Sequence, residues 1–220
     1  MVKFRDIWQS LYLHGTFTIP SPSLSGEGRG RRIVYLTFDD GPIPEVTPQV
    51  LEILDRYGVK ATFFMVGENI DKHPEVFEQV VKAGHVVGNH TYNHLKGWKY
   101  SLSAYLANVA KCEKAIHSHL SAQTKSDNDK LFRPPYGKAW PWQRSALVKQ
   151  GYRLIYWDIL TRDYDRNVSP EQMLTRIERD VRPGSIINFH DSLKSNERML
   201  AVLPKAIAFL QSQGYEIKTL

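Results

Sequence analysis

The sequence of 220 residues contains a single cysteine, Cys112, so no disulfide can form within the chain. It has no apolar run near the ~20 residues that span a bilayer. The apolar patch at residues 7–13 is interrupted by Gln9 and Ser10, whereas a signal peptide needs an unbroken apolar region of about 7–15 residues. We therefore expect no disulfide-based scaffold, no transmembrane segment and no export signal.

The positive charge lacks the pattern of a nucleic-acid-binding protein. The net charge is +6, but no basic stripe with interleaved aromatic residues and no zinc-finger spacing accompanies it. Part of the excess comes from Arg29, Arg31 and Arg32. This charge suits an anionic polymer such as a cell-wall glycan, or it merely favours solubility. We predict no nucleic-acid partner.

One folded domain is predicted, preceded by a tail. Residues 21–32 (SPSLSGEGRGRR) are rich in serine, glycine and arginine and bury too little apolar surface to offset the entropy of ordering. We assign residues 1–32 to a flexible tail or linker and residues 33–220 to the folded domain. Its 42% apolar and 24% charged residues are ordinary for a soluble globular protein.

Strands and helices alternate along the predicted domain. Short apolar runs rich in β-branched and aromatic residues predict seven strands, at residues 33–38, 61–66, 85–87, 131–132, 152–157, 185–189 and 215–219. Amphipathic spacing predicts helices at residues 48–57, 73–83, 103–119, 141–150, 169–181 and 199–212, and the polar residues 121–130 read as a loop. Thr47 is the expected N-cap of the first helix, and Ser169, followed by Pro170, is that of the fifth. Such βα units indicate a mostly parallel sheet with helices outside it, either a barrel or an open sheet.

Polar side chains follow five of the predicted strands. In parallel α/β folds, functional groups gather beyond the carboxyl ends of the strands. The side chains at these positions are Asp39, Asp40, His90, His94, Arg133, Tyr136, Asp158, Asp163, His190 and Asp191. Gathering so many charged groups at one end of a sheet is costly unless they are paired or bind a metal.

The spacing of His90 and His94 allows a metal site. An isolated pair of histidines four residues apart is more often a surface or core feature. Combined with an aspartate from another strand end, it matches a two-histidine, one-carboxylate site with open coordination positions. Such positions suit a catalytic metal, which must also bind water or substrate.

Four segments resemble motifs of the polysaccharide deacetylase family, also called the NodB homology domain or carbohydrate esterase family four. They are TFDDG (37–41), HTYNH (90–94), RPPY (133–136) and IINFH (186–190). The motifs occur in the family's order and at suitable spacing, and the resemblance covers about residues 33–220. It implies a distorted (β/α)7-type barrel and the metal-dependent removal of acetyl groups from an N-acetylated polysaccharide such as peptidoglycan or a chitin-like glycan.

The resemblance also implies a role for individual residues. Asp40, His90 and His94 would bind one divalent metal ion, with zinc expected and cobalt, nickel or manganese as alternatives. Asp39 would be the general base, and Arg133 would pair with it and keep it ionised.

The remaining catalytic groups are implied in the same way. The backbone N–H of Tyr136 would help to form the oxyanion hole. His190 would be the general acid, and Asp163 would orient it and keep it protonated. Trp98, Trp140, Trp142 and Tyr164 are candidates for stacking on sugar rings, with packing as the alternative for Trp140 and Trp142.

A fifth motif departs from the family pattern, in which an aspartate is followed after two spacers by Asp-Trp. Here the corresponding residues are Leu160, Asp163 and Tyr164. The aspartate assigned to His190 is kept, so catalysis is expected to survive, but the sugar-binding wall of the groove is expected to differ.

Three other functions fit some of these residues. The same scaffold would serve for a small amide or an acetyl ester on a xylan-like glycan. An iron(II) oxygenase also uses two histidines and one carboxylate, but it needs no such acid–base set. A non-catalytic glycan-binding module would be expected to lack Asp39 or His190. The glycan class implies a cell-envelope or secreted protein, while the sequence leaves the oligomeric state and the location undetermined.

Overall fold

The computed structural model describes residues 31–120 and 130–220. The predicted tail up to residue 30 and most of the predicted loop, residues 121–129, lie outside the described residues. Arg32, at the end of the predicted tail, donates hydrogen bonds to the carbonyl of Gln213 (2.8 Å) and the hydroxyl of Tyr215 (3.0 Å). The start of the folded domain at Ile33 stays a prediction.

Eight strands and seven α-helices are found in the described residues. The strands are β1 Ile33–Asp39, β2 Thr62–Met65, β3 Val86–Asn89, β4 Lys130–Phe132, β5 Tyr152–Leu154, β6 Ile159–Leu160, β7 Ile186–His190 and β8 Glu216–Lys218. The helices are α1 Thr47–Arg56, α2 Gly67–Lys72, α3 Pro74–Lys82, α4 Leu102–His119, α5 Pro141–Lys149, α6 Pro170–Asp180 and α7 Asn196–Ser212. Short 3₁₀ turns lie at Gly97–Lys99 and Pro135–Gly137.

The strands form one parallel sheet in the order β5-β4-β3-β2-β1-β7-β6, and β8 also pairs with β1. Only residues 155–158 connect β5 to β6, although these strands lie at opposite edges of the sheet. A link of this length spans at most about 18 Å. The sheet must therefore curl until its edges face each other, which confirms the predicted distorted barrel of mostly parallel strands.

The predicted strand at 152–157 is wrong in its second half. β5 ends at Leu154, after which the chain crosses the seam between the two sheet edges. It pairs again as the two-residue strand β6, where Ile159 and Leu160 lie opposite Ile187 and Asn188. The described residues therefore form eight strands, whereas the sequence predicted seven. The six-residue helix α2 was also missed.

Both faces of β1 are buried, and the side chains on the two faces differ in chemistry. Val34, Leu36 and Phe38 point outward and pack in the main hydrophobic core with the helices. Thr37 and Asp39 alternate with them and belong to the buried polar residues. A parallel strand covered on both sides reads as a nearly continuous apolar run, which is why the inner polar residues stand out.

Helix caps show one correct and one wrong prediction. Ser169 caps α6 as predicted, since its Oγ accepts from the N–H of Gln172, and Pro170 follows at the first helical position. Thr47 is not the N-cap of α1: it is the first helical residue, and its hydroxyl is engaged with the N–H of Ile43 and with Asp191. Within the two described ranges, no helix combines the length and apolarity needed to cross a membrane.

Candidate active site

Side chains from β1, β3, β4 and β7 meet at one end of the curled sheet. Each lies at or just beyond the carboxyl end of its strand, as expected for parallel strands. Together with the loop after β6 they border a cleft of about 660 Å³. Its lining consists of Asp39, Asp40, His90, His94, Tyr136, Lys138, Trp157, Leu160, Tyr164, His190, Ser192 and Lys194.

The turn after β1 holds Asp40 in an unusual backbone conformation. Asp40 has φ 86°, which a non-glycine residue rarely adopts without support from its surroundings. Part of that support is the amide of Asn69, which donates to the Asp40 carbonyl at 2.8 Å. The next residue, Gly41, donates its N–H to Oδ1 of Asp191 at 3.0 Å. A Cβ atom at position 41 would lie 2.1 Å from Oδ2 of Asp191, so only glycine fits there.

Asp191 stabilises this turn through hydrogen bonds to both of its carboxylate oxygens. Its Oδ2 accepts from the hydroxyl of Thr47 at 2.6 Å, and burial raises the pKa of Asp191 to about 8. The sequence left Asp158 and Asp191 undecided and favoured hydrogen bonding within loops for both. Asp158 indeed accepts from the N–H of Ile186 at 3.0 Å, away from the cleft.

Asp40, His90 and His94 offer three ligand atoms within 4.8 Å of one another. Oδ1 of Asp40 lies 3.3 Å from Nε2 of His94 and 3.8 Å from Nε2 of His90. The same Oδ1 atom is buried and has no hydrogen-bond partner, which would be costly for a carboxylate oxygen unless a cation satisfies it. Two imidazole nitrogens and a carboxylate fit a divalent transition metal.

A hydrogen bond at the other ring nitrogen orients the imidazole of His90 toward Asp40. Its Nδ1 lies 2.8 Å from the carbonyl oxygen of Arg133. A carbonyl only accepts, so Nδ1 carries the proton and Nε2 presents its lone pair toward Asp40. Burial lowers the pKa of His90 to about 4. The imidazole is therefore neutral, as a metal ligand must be.

Asp39 lies beside the metal-binding residues and is almost fully buried. Its Oδ1 accepts from Nη1 of Arg133 at 2.7 Å, and its Oδ2 accepts from the amide of Asn188 at 2.9 Å. Burial alone would raise the pKa of Asp39, but the charge and hydrogen bond of Arg133 together with the charges of His90 and His190 outweigh burial, and the net pKa is lowered. The carboxylate is thus ionised and able to accept a proton.

Arg133 occupies the seam between β5 and β6. It is fully buried, and its guanidinium stacks on the ring of Phe64, 4.1 Å from the centroid. Nε donates to the carbonyl of Ile155 and Nη2 to the carbonyl of Tyr156, both at 3.2 Å. These carbonyls belong to the link that crosses the seam, so one side chain joins the sheet edges and holds Asp39.

His190 faces the cleft from β7 and is paired with Asp163. Nδ1 of His190 lies 2.7 Å from Oδ1 of Asp163, and its backbone N–H donates to Oδ2 at 2.7 Å. Burial would lower the pKa of His190, but the charge and hydrogen bond of Asp163 together with the charges of Asp40 and Asp39 raise it to about 9. Near neutral pH the imidazole is therefore protonated, with Nε2 as its remaining donor.

The loop after β4 places Tyr136 over His94. Tyr136 has φ 60°, and its ring centroid lies 4.7 Å from that of His94. The turn's hydrogen bonds are donated by Gly137 to the carbonyl of Pro134 and by Lys138 to that of Pro135. The N–H of Tyr136 takes no part in these two bonds, and its oxyanion-binding role stays a prediction.

The aromatic candidates divide into two groups. Tyr164 lines the cleft and meets the ring of His190 edge-on at 5.1 Å, and Trp98 packs edge-on against Tyr136 at 5.5 Å. Trp140 and Trp142 stack on each other at 4.9 Å and are not among the residues that line the cleft.

Some cleft residues were not predicted from the sequence. Trp157 lines the cleft and was assigned to a strand. Asn188 contacts Asp39 but sits inside an apolar run. Lys138 and Lys194 also line the cleft. Lys138 comes two residues after the RPPY motif and Lys194 four residues after the IINFH motif, and this proximity was the only available signal.

Comparisons with known proteins agree with this geometry. The family model described as polysaccharide deacetylase matches residues 26–155, more than half of the chain. This chain belongs to the polysaccharide deacetylase family. The predicted family and hydrolase class are therefore confirmed.

Two curated members of the polysaccharide deacetylase family illustrate the relationship. A peptidoglycan-N-acetylglucosamine deacetylase of Bacillus cereus is 33% identical over 188 residues, which are 85% of this chain and 66% of that protein. The match thus spans just under two thirds of that relative. A chitooligosaccharide deacetylase of a Bradyrhizobium species is 30% identical, with 89% of this chain and 92% of that protein covered.

A solved member of the family confirms the fold. The crystal structure of a peptidoglycan N-acetylglucosamine deacetylase in complex with 4-naphthalen-1-yl-N-oxidanyl-benzamide superposes with a TM-score of 0.79. The two chains are 32% identical, and 86% of each is covered. At this level of similarity, the curled parallel sheet is a shared polysaccharide deacetylase architecture.

Proposed function

We propose that this polysaccharide deacetylase hydrolyses the N-acetyl amide of amino-sugar residues in a glycan and releases acetate. The observation that carries the proposal is the arrangement of two buried ion pairs around one cleft. Asp39 with Arg133 supplies an ionised carboxylate, and His190 with Asp163 supplies a protonated imidazole. Amide hydrolysis needs both a base for the attacking water and an acid for the leaving amine.

Asp40, His90 and His94 are the residues that would hold the metal, which we propose to be zinc, with cobalt, nickel or manganese as alternatives. When bound, a divalent ion supplies Lewis-acid polarisation of the acetyl carbonyl and acidifies water.

The chain's own groups account for the proton transfers. Asp39 takes a proton from the water molecule that attacks the acetyl carbon. The N–H of Tyr136 donates a hydrogen bond to the oxyanion that forms, and one such donor is typically worth about 10²–10³ in rate. His190 then gives its proton to the amine nitrogen as the C–N bond breaks. The products are acetate and a free amino sugar.

Charges at the cleft favour an acidic glycan over a neutral one. Each acid in the site is neutralised: Asp39 by Arg133, Asp163 by His190, and Asp40 by the cation it would bind. Lys138 and Lys194 line the same cleft, and neither forms an ion pair with a carboxylate in the described residues. Their ammonium groups lie 5.6 Å from the ring of Trp98 and 5.4 Å from the ring of Tyr164, respectively.

We therefore infer that the glycan carries carboxylates near the reacting sugar, as peptidoglycan does. The two lysines would contact these groups while the neighbouring rings contact the sugar faces. Such a substrate is consistent with a cell-envelope or secreted protein, and the name of the Bacillus cereus relative points the same way.

Acetate release tests the proposal directly. Protein treated with chelator, and the same protein resupplied with zinc or cobalt, is incubated with peptidoglycan and with penta-N-acetylchitopentaose. We expect metal-dependent release on both, faster on peptidoglycan. No release on either glycan, from protein that holds one metal per chain, would refute the proposal and favour a small amide or an acetyl ester.

A further inference from the structure

Asn188 is a fully buried amide within the apolar run of β7. Its Nδ2 donates to Oδ2 of Asp39 at 2.9 Å. Its Oδ1 accepts from the hydroxyl of Thr37 at 2.8 Å and from Nη1 of Arg133. A buried polar residue in a strand is costly unless all its groups are satisfied, and here both ends of the amide are used.

The neighbours of Asn188 allow only one orientation of its amide. Arg133 is a pure donor and the Asp39 carboxylate a pure acceptor. Turning the amide over would face its NH₂ group toward the guanidinium and its oxygen toward the carboxylate. Because Arg133 holds Oδ1 of Asp39 and Asn188 holds Oδ2, the two side chains together fix the plane of the carboxylate.

One of the two cross-strand neighbours of Asn188 is Leu160, a position at which the chain departs from its family pattern. Leu160 of β6 and Thr37 of β1 are the register partners of Asn188 on either side. Partners in a parallel sheet project to the same face, so these three positions stand side by side on the inner wall of the barrel. The family pattern has an aspartate at position 160, whereas here that position is apolar and position 188 is polar.

We propose that Asn188 is a positioning residue for Asp39: its amide holds one carboxylate oxygen while Arg133 holds the other. The inference rests on the proposed function only for the role of Asp39 as general base. Asn188 is fully buried and is not among the residues that line the cleft, so it acts through the orientation of Asp39 and Arg133.

The test is a reciprocal exchange across β6 and β7. In Asn188→Leu, Asp39 loses one of its two anchors, and we expect kcat to fall about 10²-fold because the base is misoriented. KM and bound metal should stay unchanged. In the double variant Leu160→Asn/Asn188→Leu, an amide donor returns on the neighbouring strand, and most of the lost kcat should return with it.

A matched control separates positioning from mere stability. Thr161→Val removes a different buried hydrogen bond of Asn188, which the threonine hydroxyl donates to the backbone carbonyl of Asn188 (2.8 Å). This substitution leaves the contacts of Asp39 and Arg133 in place. We expect a lower melting temperature and an unchanged kcat. If Asn188→Leu fails to fold, Asn188→Asp is the second variant: it keeps an acceptor for Arg133 but removes the donor to Asp39, so kcat should fall.

Two outcomes would overturn the role of Asn188. One is a wild-type kcat in whichever of Asn188→Leu and Asn188→Asp folds with its metal. The other is a double variant no more active than Asn188→Leu. Absence of acetate release by the unaltered chain would instead refute the proposed function itself.

Discussion

Asp163 binds His190 at two points, because one carboxylate oxygen contacts the imidazole and the other accepts the backbone N–H of the same residue. The carboxylate is fully buried, and Arg198 donates to the carbonyl of Asp163 at 2.9 Å. His190, the proposed general acid, is thereby held in position and kept protonated by one carboxylate.

Replacing Asp163 should move the alkaline limb of the pH profile to lower pH. The pKa of His190 is raised to about 9 against the effect of burial, and Asp163 contributes most to the rise through its charge and its hydrogen bond. In Asp163→Asn that charge is gone while the burial remains, so the imidazole loses its proton at lower pH. We expect kcat/KM to fall above about pH 9 in the unaltered chain and well below pH 9 in the variant. An unshifted limb would contradict the assignment of His190 as the acid.

Asp39→Asn and His94→Ala should separate turnover from metal binding. Asp39 is not among the three metal-binding residues, so Asp39→Asn should keep the metal while acetate release falls by about 10²–10⁴-fold, the usual worth of a general base. His94→Ala removes one of three ligands and should lose both. Metal content after dialysis, measured alongside acetate release, distinguishes the two. A fully active Asp39→Asn protein would exclude Asp39 as the base.

Gly41→Ala should disturb the turn that carries Asp40. The added methyl group would lie 2.1 Å from Oδ2 of Asp191, and such overpacking typically costs about 1–3 kcal/mol. Urea unfolding and metal affinity should both show the loss. Shortening the clashing side chain in Gly41→Ala/Asp191→Ala should make the effects non-additive. Strict additivity would mean that the two residues do not constrain each other.

Lys138→Gln/Lys194→Gln should affect acidic glycans selectively. We expect kcat/KM on peptidoglycan to fall and to become less sensitive to salt, because screened attraction between exposed charges is lost. Activity on penta-N-acetylchitopentaose should stay nearly unchanged. Lys149→Gln, an exposed lysine on α5 outside the cleft, is the matched control. An equal loss on both glycans would argue against recognition of carboxylates.

Much of the site was predictable because parallel strands end at a common edge. Asp39, Asp40, His90, Arg133 and His190 each follow a strand with a clear apolar pattern. The structure brings their side chains to one cleft. Their predicted catalytic roles rest on the proposed chemistry.

The missed features have a common physical origin. β6 contains only two residues and α2 only six, too few for a hydrophobic period to be read. Asn188 lies in an otherwise apolar run, where sequence alone does not show which strand it faces. Its contact with Asp39 depends on β7 pairing with β1, and the order of strands in the sheet is a tertiary property.

Arg133 connects the link that closes the barrel to the carboxylate of Asp39, because its guanidinium donates hydrogen bonds to both. The link at 155–158 is the place where the barrel has no strand-to-strand pairing, and the guanidinium is fastened there to two of its carbonyls. A change in the length or stiffness of this link would rotate the arginine and tilt the carboxylate that it holds. Changing residues 155 and 156 of the link is thus a way to adjust the orientation of Asp39 without altering a residue that lines the cleft.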